Sequence, residues 1–539
     1  MTATKKLWVA SIVAALGLMY GCTKEKDSVA MPNASKPAGA EYGMTLGQQL
    51  PNAYSVENMN AAFHALSAQD SDTYTYDSLF PTHLYIKVHI QGDSIPQQFL
   101  EDTSIVLFPY PLDYELIGTG EYLPSDTTER DYAYTVVPEG FDFSGVDFEV
   151  LDYCVVPEDD NEILEAVEKK SLMMTGHIAF DDTIDYTRNG ESAKATGKPS
   201  GRICVYNTKT NNCEGVRNIK VVMHTLVRVR TAHTNANGYY NCDTKFHMNV
   251  RYVLSFENRR GFKLWRNTAT LLPATLGLGV HSPRGYSYDM YTNSYGWYNS
   301  TVNNAVDIYI NRLCPDNNIP DPPDEMRIFL TNIGGSWTGS TPLFRIRRVT
   351  EGYINICNIF SINTGWFSKI LPDMIIAKNP KETYKLYRTV FHEMSHASEY
   401  SMVGNNFWRN FVITILSNTG YGNANMNNAG YVGIGEGLSY YADKVLRNYC
   451  WQNYYNLPLE CTNIVDQSNE WFRPDLLDTI ARKSNGTWQL ANYYNILSPD
   501  ITTMCDFKKA IVYDITSQFA GMADTALAPV CHNMYTLDK

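Results

Sequence analysis

Basic residues are too few in this sequence to build an electropositive surface. Lys and Arg number 44 against 57 Asp and Glu, and the formal net charge is −13 at pH 7. Binding to nucleic acid depends on neutralising phosphates, so this balance argues against DNA or RNA as a main partner. Uninterrupted apolar runs are missing after residue 22. We therefore expect no membrane-spanning segment in the mature chain.

The cysteines lack the Cys-x-x-Cys spacing that zinc clusters use. The chain has 11 of them, and ten remain when Cys22 is set aside. An even number in an exported chain permits disulfides, although the sequence does not fix their connectivity. Two local pairs are candidates, Cys450 with Cys461 and Cys505 with Cys531. We expect the other cysteines to be structural or buried thiols.

The first 22 residues have the pattern of an export signal. Lys5 and Lys6 form a short positive region, and residues 7–18 are apolar. The segment ends in Gly21-Cys22, a small residue before a cysteine, which resembles a bacterial lipobox. That resemblance implies cleavage before Cys22 and acylation of its side chain. The alternative is an ordinary signal peptide with an incidental cysteine.

Residues 23–44 are predicted to form a loose tether, because Pro32, Pro37 and Gly39 interrupt any regular structure. The charged residues 24–27 at its start resemble the surface-export signals of Bacteroidota lipoproteins. We therefore expect an outer-membrane lipoprotein that contacts the membrane through its lipid anchor only. The expected location is the cell surface, and the periplasmic face is the alternative.

A chain of 539 residues is too long for one ordinary core, which predicts roughly two to four domains. The periodicities indicate a multi-domain fold that begins with a small α+β domain over 45–195. A β-sandwich is predicted over 199–262, and a mainly α domain with a small sheet and C-terminal helices over 285–539. Within the sandwich, Asn237-Gly238 lies between two strand-like runs and predicts a tight hairpin.

The run from Thr234 to Tyr239 resembles the turn of transthyretin-like modules, known as carboxypeptidase regulatory domains. Such modules are usually spacers or scaffolds. The resemblance therefore implies that residues 199–262 fold independently and carry no catalytic group.

A strong helix start is predicted ahead of the histidine-rich part of the chain. Asn379 is a suitable N-cap, Pro380 suits the first helical position, and Glu382 follows three residues after the cap. Nothing interrupts the helical pattern until Gly404, which is typical of a C-terminal stop. The helix contains the run His392-Glu393-Met394-Ser395-His396.

Two histidines four residues apart lie on one face of a helix, so both imidazoles can reach one tetrahedral zinc ion. Glu393, next to the first ligand, is then placed to act on the water of that metal. The alternative is that His392 and His396 are partly exposed and Glu393 is solvated. The independently predicted helix and the export signal favour the metal site.

A zinc ion that keeps one position open for water needs three protein ligands. The third histidine of the metzincin spacing is absent, because Met402 stands six residues after His396. A second predicted helix, after a Gly-rich turn, supplies the better candidate. Glu436, Tyr440 and Asp443 share one face of that helix.

The run from Glu436 to Tyr440 resembles the E-G-x-x-x-Y segment of gluzincins, the class of thermolysin-like and aminopeptidase-like enzymes. The resemblance implies that Glu436 completes the zinc site with His392 and His396. The alternative is that Glu436 is only a charge at a helix start. The 39 residues between His396 and Glu436 exceed the usual gap. Residues 407–432 would then be an insertion, as a lid or a substrate-binding loop.

Zinc-assisted peptide hydrolysis is the mechanism that these residues imply, with Glu393 as general base. Tyr440 or Tyr441 is the candidate donor to the oxyanion, and Asp443 is the candidate group that orients a ligand imidazole. The layout also resembles zinc-binding lipoproteins of gut Bacteroidota. We therefore expect a protein or peptide substrate, glycoproteins included.

Two other functions stay open. A non-catalytic surface adhesin or glycan-binding lipoprotein that keeps a zincin fold would suit the multi-domain build and the aromatic content of 13%. A zinc-dependent hydrolase of something other than peptide would keep the metal ligands and change the cleft. The substrate, the cleavage preference and the oligomeric state do not follow from the sequence.

Overall fold

The fold is described from a computed structural model of the chain. Residues 43–531 are described apart from 75–76, 91–94, 97, 103, 123, 125–128, 159–160, 179–195, 266–271, 293, 332–337, 344–371, 379–380, 419 and 459–470. The export signal, Cys22 and nearly all of the predicted tether lie outside the described residues. The described part is mixed α/β with several sheets, which agrees with the predicted multi-domain α+β class.

The N-terminal part combines two small antiparallel sheets with helices. Its main elements are β1 (Thr45–Gln49), α1 (Val56–Ser67), β2 (His83–His89), α2 (Gln98–Glu101), β3 (Tyr114–Ile117), β4 (Tyr132–Pro138), β5 (Phe148–Cys154) and α3 (Glu162–Met174). Strand β1 pairs with β3, and the other sheet has the order β4-β2-β5. Helices α1 and α3 pack together, because Met59 and Phe63 bury their side chains with Val167.

The central part of the chain is built of strands that belong to two sheets. These are β6 (Ser200–Asn207), β7 (Asn212–Gly215), β8 (Ile219–Thr225), β9 (Arg228–His233), β10 (Tyr239–Asn241), β11 (Val250–Asn258), β12 (Lys263–Trp265), β13 (Thr275–His281) and β14 (Tyr288–Met290). A four-stranded sheet has the order β10-β6-β14, with β7 also paired to β6. The remaining strands belong to a larger sheet that continues further along the chain.

The C-terminal part is mainly helical and contains two long helices. Its elements are α4 (Tyr295–Ile308) with a π-helical turn (Tyr309–Leu313), α5 (Cys314–Asn317), β15 (Arg327–Thr331), β16 (Gly339–Ser340), β17 (Met374–Ala377), α6 (Thr383–Ser417), α7 (Ala429–Tyr449) with a π-helical turn (Cys450–Tyr454), α8 (Pro474–Lys483), α9 (Leu490–Asn495), α10 (Met504–Asp514) and α11 (Ser517–Pro529). Among the helices that the structure describes, none combines the length and the apolar character needed to cross a bilayer.

The larger sheet crosses the predicted boundary at residue 262. Its order is β16-β17-β15-β12-β11-β8-β9, with β13 also paired to β11. Strand β12 joins the two parts, because it pairs antiparallel with β11 and parallel with β15. Buried side chains from both sheets and from α4, α6 and α7 belong to one hydrophobic cluster. The strands of residues 199–262 therefore share a sheet and a hydrophobic core with the part of the chain that follows.

The turn at Asn237-Gly238 is present, but it does not join two paired strands as predicted. Gly238 has a φ of 82°, and the Asn235 side chain accepts hydrogen bonds from the backbone N–H groups of Asn237 and Tyr239. Strand β10, which follows, pairs with β6 of the other sheet. The turn is pressed against β6, since a Cβ on Gly238 would lie 2.2 Å from the Ile203 carbonyl oxygen.

Helix α6 differs from its prediction at both ends. The predicted start at 379–380 lies outside the described residues, and the helix begins at Thr383 with Glu382 as its N-cap. Gly404 interrupts the helical geometry with φ 71° and ψ −172°, a conformation that glycine adopts easily. The chain then continues as a helix to Ser417. Gly404 thus breaks the helix where a stop was predicted, and a second helical segment follows whose apolar residues are buried in the core.

One predicted disulfide is confirmed. Cys505 and Cys531 are bonded, which ties the beginning of α10 to the residues just after α11. Cys450 is buried, and its predicted partner Cys461 lies outside the described residues.

Candidate metal centre

His392 and His396 lie one turn apart on the buried face of α6. Their ring centroids are 4.8 Å apart, and the ring planes are nearly perpendicular at 88°. The exposed fractions of the two residues are 5% and 2%. The alternative of two partly exposed histidines is therefore wrong, because the rest of the helical domain covers them.

Glu436, on α7, faces both imidazoles. Its Oε2 is 3.4 Å from Nε2 of His392, and its Oε1 is 3.4 Å from Nε2 of His396. One ligand atom from each of the three residues lies within 4.8 Å of the other two. Helix α7 begins at Ala429, so Glu436 is not a charge at a helix start. The structure thus brings together the three predicted metal ligands.

Two glycines allow α7 to approach its neighbours. The predicted Gly-rich turn is part of the helix itself, and Gly435 lies within it. A Cβ on Gly435 would be 2.8 Å from the ring of Phe411 on α6, and one on Gly437 would be 2.7 Å from the carbonyl oxygen of Phe472. Larger residues at these positions would push α7 outward. The short glutamate side chain reaches the imidazoles because the helices are this close.

The electrostatics of the cluster favour an ionised carboxylate. Burial alone would raise the pKa of Glu436, but the charge of His396 and contacts with both imidazoles outweigh it and lower the pKa to about 2. Burial likewise acts to lower the pKa of His396, yet the charge of Glu436 dominates and raises it to about 10. An anionic Glu436 can bind a cation, whereas His396 has to lose its proton to do so, since imidazole binds a metal ion in its neutral form.

Glu393 lies beside the cluster with one oxygen held and one open. The Thr341 hydroxyl donates a hydrogen bond to Oε2 at 2.8 Å. Oε1 is buried and has no hydrogen-bond partner among the described residues. Burial raises the pKa of Glu393, although the charges of His392 and His396 oppose the shift. Oε1 is thus the carboxylate oxygen that the described residues leave without a hydrogen bond.

The edge strand β16 supplies the neighbours of Glu393. Strand β16 pairs antiparallel with β17. A Cβ on Gly339 would lie 2.7 Å from Oε1 of Glu393, so only glycine leaves room for the carboxylate there. Thr341 follows directly after the strand, and its carbonyl accepts a hydrogen bond from the Trp408 indole at 3.3 Å. Gly339 and Thr341 could not be identified from the sequence, because no sequence pattern connects them to a motif more than 50 residues later.

The second imidazole nitrogen of His396 contacts two polar groups that the sequence analysis also missed. Ser439 Oγ lies 2.9 Å from Nδ1, and Oε2 of Glu399 lies 3.6 Å from the same atom. Both partners are completely buried. Glu399 stands three residues after His396 on the same helix face, which is the signal that would have identified it. Partners at Nδ1 fix the orientation of a ligand imidazole.

Asp443 lines the same small cavity as His392, Glu393 and Tyr440, and its described ion pairs are with arginines. Its Oδ2 is 3.6 Å from Nε of Arg388 and 3.5 Å from Nη2 of Arg447, and its described ion pairs include no imidazole. Asp443 lies seven residues after Glu436, so it is about 10 Å further along the helix axis. That distance places it opposite Arg388, one turn before the first histidine.

Of the two tyrosines considered as oxyanion donors, only Tyr440 reaches the site. Its ring centroid is 4.5 Å from that of His392, and its other face stacks on Phe472 at 5.4 Å. Tyr441 points away and packs edge-on against Tyr493. The structure therefore keeps Tyr440 and removes Tyr441 as a candidate.

Part of the predicted insertion is a wall of the site. The second half of α6 carries Trp408 and Phe411, whose ring centroids lie 5.7 Å and 5.5 Å from that of His396. These residues belong to the core, so this half of the segment is not a lid. The kink at Gly404 allows α6 to turn and cover the imidazole.

The donor set fits zinc. Two imidazole nitrogens and one carboxylate leave one tetrahedral position for water, and the buried Oε2 of Glu436 has no hydrogen-bond partner among the described residues.

A comparison of the chain with protein-family models, with curated proteins and with solved structures gives no match.

Proposed function

We propose that this chain is a zinc-dependent metallopeptidase of the gluzincin type. The observation that supports it most is the convergence of His392, His396 and Glu436, with an open oxygen of Glu393 beside them. Zinc bound by these three residues would polarise a peptide carbonyl and lower the pKa of a water molecule.

Glu393 would accept a proton from the attacking water and pass it to the leaving amine. This role needs one oxygen that faces the reaction and a fixed orientation of the carboxylate. Oε1 meets the first need, and the hydrogen bond from Thr341 to Oε2 meets the second. Tyr440, beside His392, would donate a hydrogen bond from its hydroxyl to the developing oxyanion.

A peptide substrate suits the geometry of β16. This strand is the edge of the large sheet in the described part of the chain, and its Gly339 adjoins Glu393. An extended peptide that added to β16 would pass beside the open oxygen of Glu393. Edge pairing recognises backbone amides, which favours peptides over other hydrolysable substrates.

The proposed location is the outer face of the outer membrane, reached through acylation of Cys22. The segment that supports it lies outside the described residues, and its support is the small residue before the cysteine together with the charged tether. The periplasmic face of the same membrane is the alternative.

A metal analysis of the purified protein, combined with digestion of an unbiased peptide library, tests the peptidase proposal. We expect one zinc ion per chain at the histidine cluster and cleavage that a chelator abolishes and added zinc restores. Zinc at the cluster without cleavage of any library peptide would contradict the peptidase function and leave the metal site standing.

One observation favours glycan binding as a second candidate function. A cleft of about 900 Å³ opens in the N-terminal part. Its lining includes Tyr85, Tyr114, Tyr122, Tyr134, Asp113, Glu129, Glu149 and Asp152. Aromatic rings beside carboxylates can pack on sugar faces and accept hydrogen bonds from sugar hydroxyls. A glycan array probed with wild type and Glu393→Gln tests this candidate, because binding without hydrolysis would be unaffected by the substitution.

A further inference from the structure

A second group of metal-ligating side chains lies in the four-stranded sheet. Cys204 of β6, Cys213 of β7 and Asp289 of β14 each offer one ligand atom, and these atoms lie within 4.8 Å of one another. Cys204 is buried, Cys213 is half-buried and Asp289 is exposed. The group therefore has a closed side toward the core and an open side toward solvent.

The strand register explains how the three side chains meet. In the antiparallel pair of β6 and β7, Cys204 is opposite Gly215, and Cys213 is opposite Tyr206. The two cysteines thus share one face of the sheet as diagonal neighbours. In the parallel pair of β6 and β14, Asp289 is directly opposite Cys204. Three adjacent strands therefore deliver one ligand each to this group.

A diagonal arrangement suits a bridging ion better than a disulfide. Diagonal neighbours in a sheet are typically about 7–8 Å apart between Cα atoms. A disulfide requires a Cα separation below roughly 7 Å, which such neighbours usually exceed, and both cysteines are free thiols in this structure. An ion bound at about 2.3 Å from each sulfur spans the longer gap.

The chemistry of the donors selects the kind of ion. Cysteine binds a metal ion as the thiolate, so two neighbouring thiols can each give up a proton to a bound cation. Two sulfurs and one carboxylate favour zinc and related thiophilic cations over calcium or magnesium.

We propose that Cys204, Cys213 and Asp289 form a second metal site, which binds a thiophilic divalent cation such as zinc. The bound ion would cross-link β7 and β14 to β6 and keep one coordination position open to solvent. This site shares no residue with the histidine cluster, so it stands independently of the peptidase function. The sequence analysis missed it, because the two cysteines are nine residues apart and the third ligand comes from a distant strand.

Cadmium titration of the metal-free full-length protein with the Cys505–Cys531 disulfide intact tests the proposal, because reduction would free a second pair of thiols. Cadmium bound to thiolate gives an ultraviolet charge-transfer band, and imidazole or carboxylate ligands give none. The signal therefore reports on this site whether or not the histidine cluster binds metal. We expect the band to saturate at one cadmium ion per chain and zinc to compete for it.

Three variants show which residues produce the cadmium signal. Cys213→Ser should remove most of the band, and Asp289→Asn, a change at an exposed position, should keep it but weaken cadmium affinity about tenfold or more. Cys154→Ser, which alters a buried thiol elsewhere, should leave band and affinity unchanged.

The proposal would be overturned by a band that survives in Cys213→Ser, or by unchanged affinity in Asp289→Asn. Protein isolated without reductant provides the remaining check, by mass analysis of its unreduced peptides. Free thiols at both positions support the metal site, whereas a Cys204–Cys213 disulfide would refute it.

Discussion

The hydroxyl of Thr341 lies 2.8 Å from Oε2 of Glu393 and 3.0 Å from the backbone carbonyl oxygen of the same residue. A side chain at the end of an edge strand thus contacts both the carboxylate and the backbone of the residue between the two ligand histidines in the helical motif. This contact fixes the orientation of a buried carboxylate whose other oxygen stays open.

Replacing Thr341 should therefore affect catalysis without affecting the metal. Thr341→Val removes the hydrogen bond to a charged acceptor, which is typically worth about 1.5–3 kcal/mol. We expect kcat to fall by roughly 10- to 100-fold with little change in KM or zinc content. Thr341→Ser keeps the hydroxyl and should recover most of the activity. Equal rates for the valine and serine variants would remove the orienting role.

Glu393→Gln should retain zinc and lose hydrolysis. The substitution keeps the shape of the side chain and removes the proton acceptor, which typically contributes about 10²- to 10⁴-fold to the rate. The measurements are zinc content and cleavage of a peptide identified in the library. Glu382→Gln, the same change at the N-cap of the same helix, is the control. Full activity in Glu393→Gln would rule out the proposed mechanism.

Glu436→Ala should weaken zinc binding sharply, because a site reduced from three ligands to two holds the ion poorly. Asp443→Asn should bind zinc as the wild type does, since its carboxylate contacts arginines. Competition with a chelating dye measures both affinities. If the two variants behaved alike, the third ligand would have to be sought outside α7.

Acid should destabilise the fold partly through His224. This buried residue packs against the ring of Phe108, and burial together with the charge of Arg251 lowers its pKa to about 3. In the unfolded chain His224 binds a proton near pH 6.5, whereas in the folded chain it binds one only near pH 3. The free energy of unfolding should therefore fall as the pH drops through this window, by up to about 1.4 kcal/mol per pH unit.

His224→Gln should flatten that dependence, which urea denaturation at pH 7 and pH 5 would measure. His64→Gln, at an exposed position on α1, is the control and should keep the wild-type slope. An unchanged slope in His224→Gln would show that other groups carry the acid sensitivity.

The lipid anchor has a direct test. Cells that express the protein with a fatty-acid analogue should label the wild type and Cys154→Ser, but not Cys22→Ala. The reason is that acylation requires the cysteine at the end of the export signal. Equal labelling of Cys22→Ala would contradict the lipoprotein assignment.

Local spacing predicted the core of the candidate site. Two histidines four apart in a helix necessarily share a face, so His392 and His396 followed from the sequence alone. Glu436 followed from a resemblance, since helical phase cannot say which other helix packs against the first. Helical phase also placed Asp443 on the face of Glu436, but it could not predict that arginines would be the ion-pair partners of that carboxylate.

The contacts that sequence could not predict are long-range ones. Gly339 and Thr341 reach Glu393 only because β16 pairs with β17 ahead of α6. Ser439 reaches His396 because Gly435 and Gly437 let α7 come close. The fold likewise combines local features that the sequence predicts with long-range pairings that it does not. Individual strands followed from alternation, but the partner of β12 depends on a strand about 60 residues later.

The pairing of β12 with both β11 and β15 has a consequence for how the gene can change. A recombination breakpoint near residue 262 would give each product a sheet edge that was formerly paired, together with apolar side chains that lost their cover. Exposed edges of this kind promote aggregation. Selection should therefore keep residues from β6 to β17 together as one inherited unit.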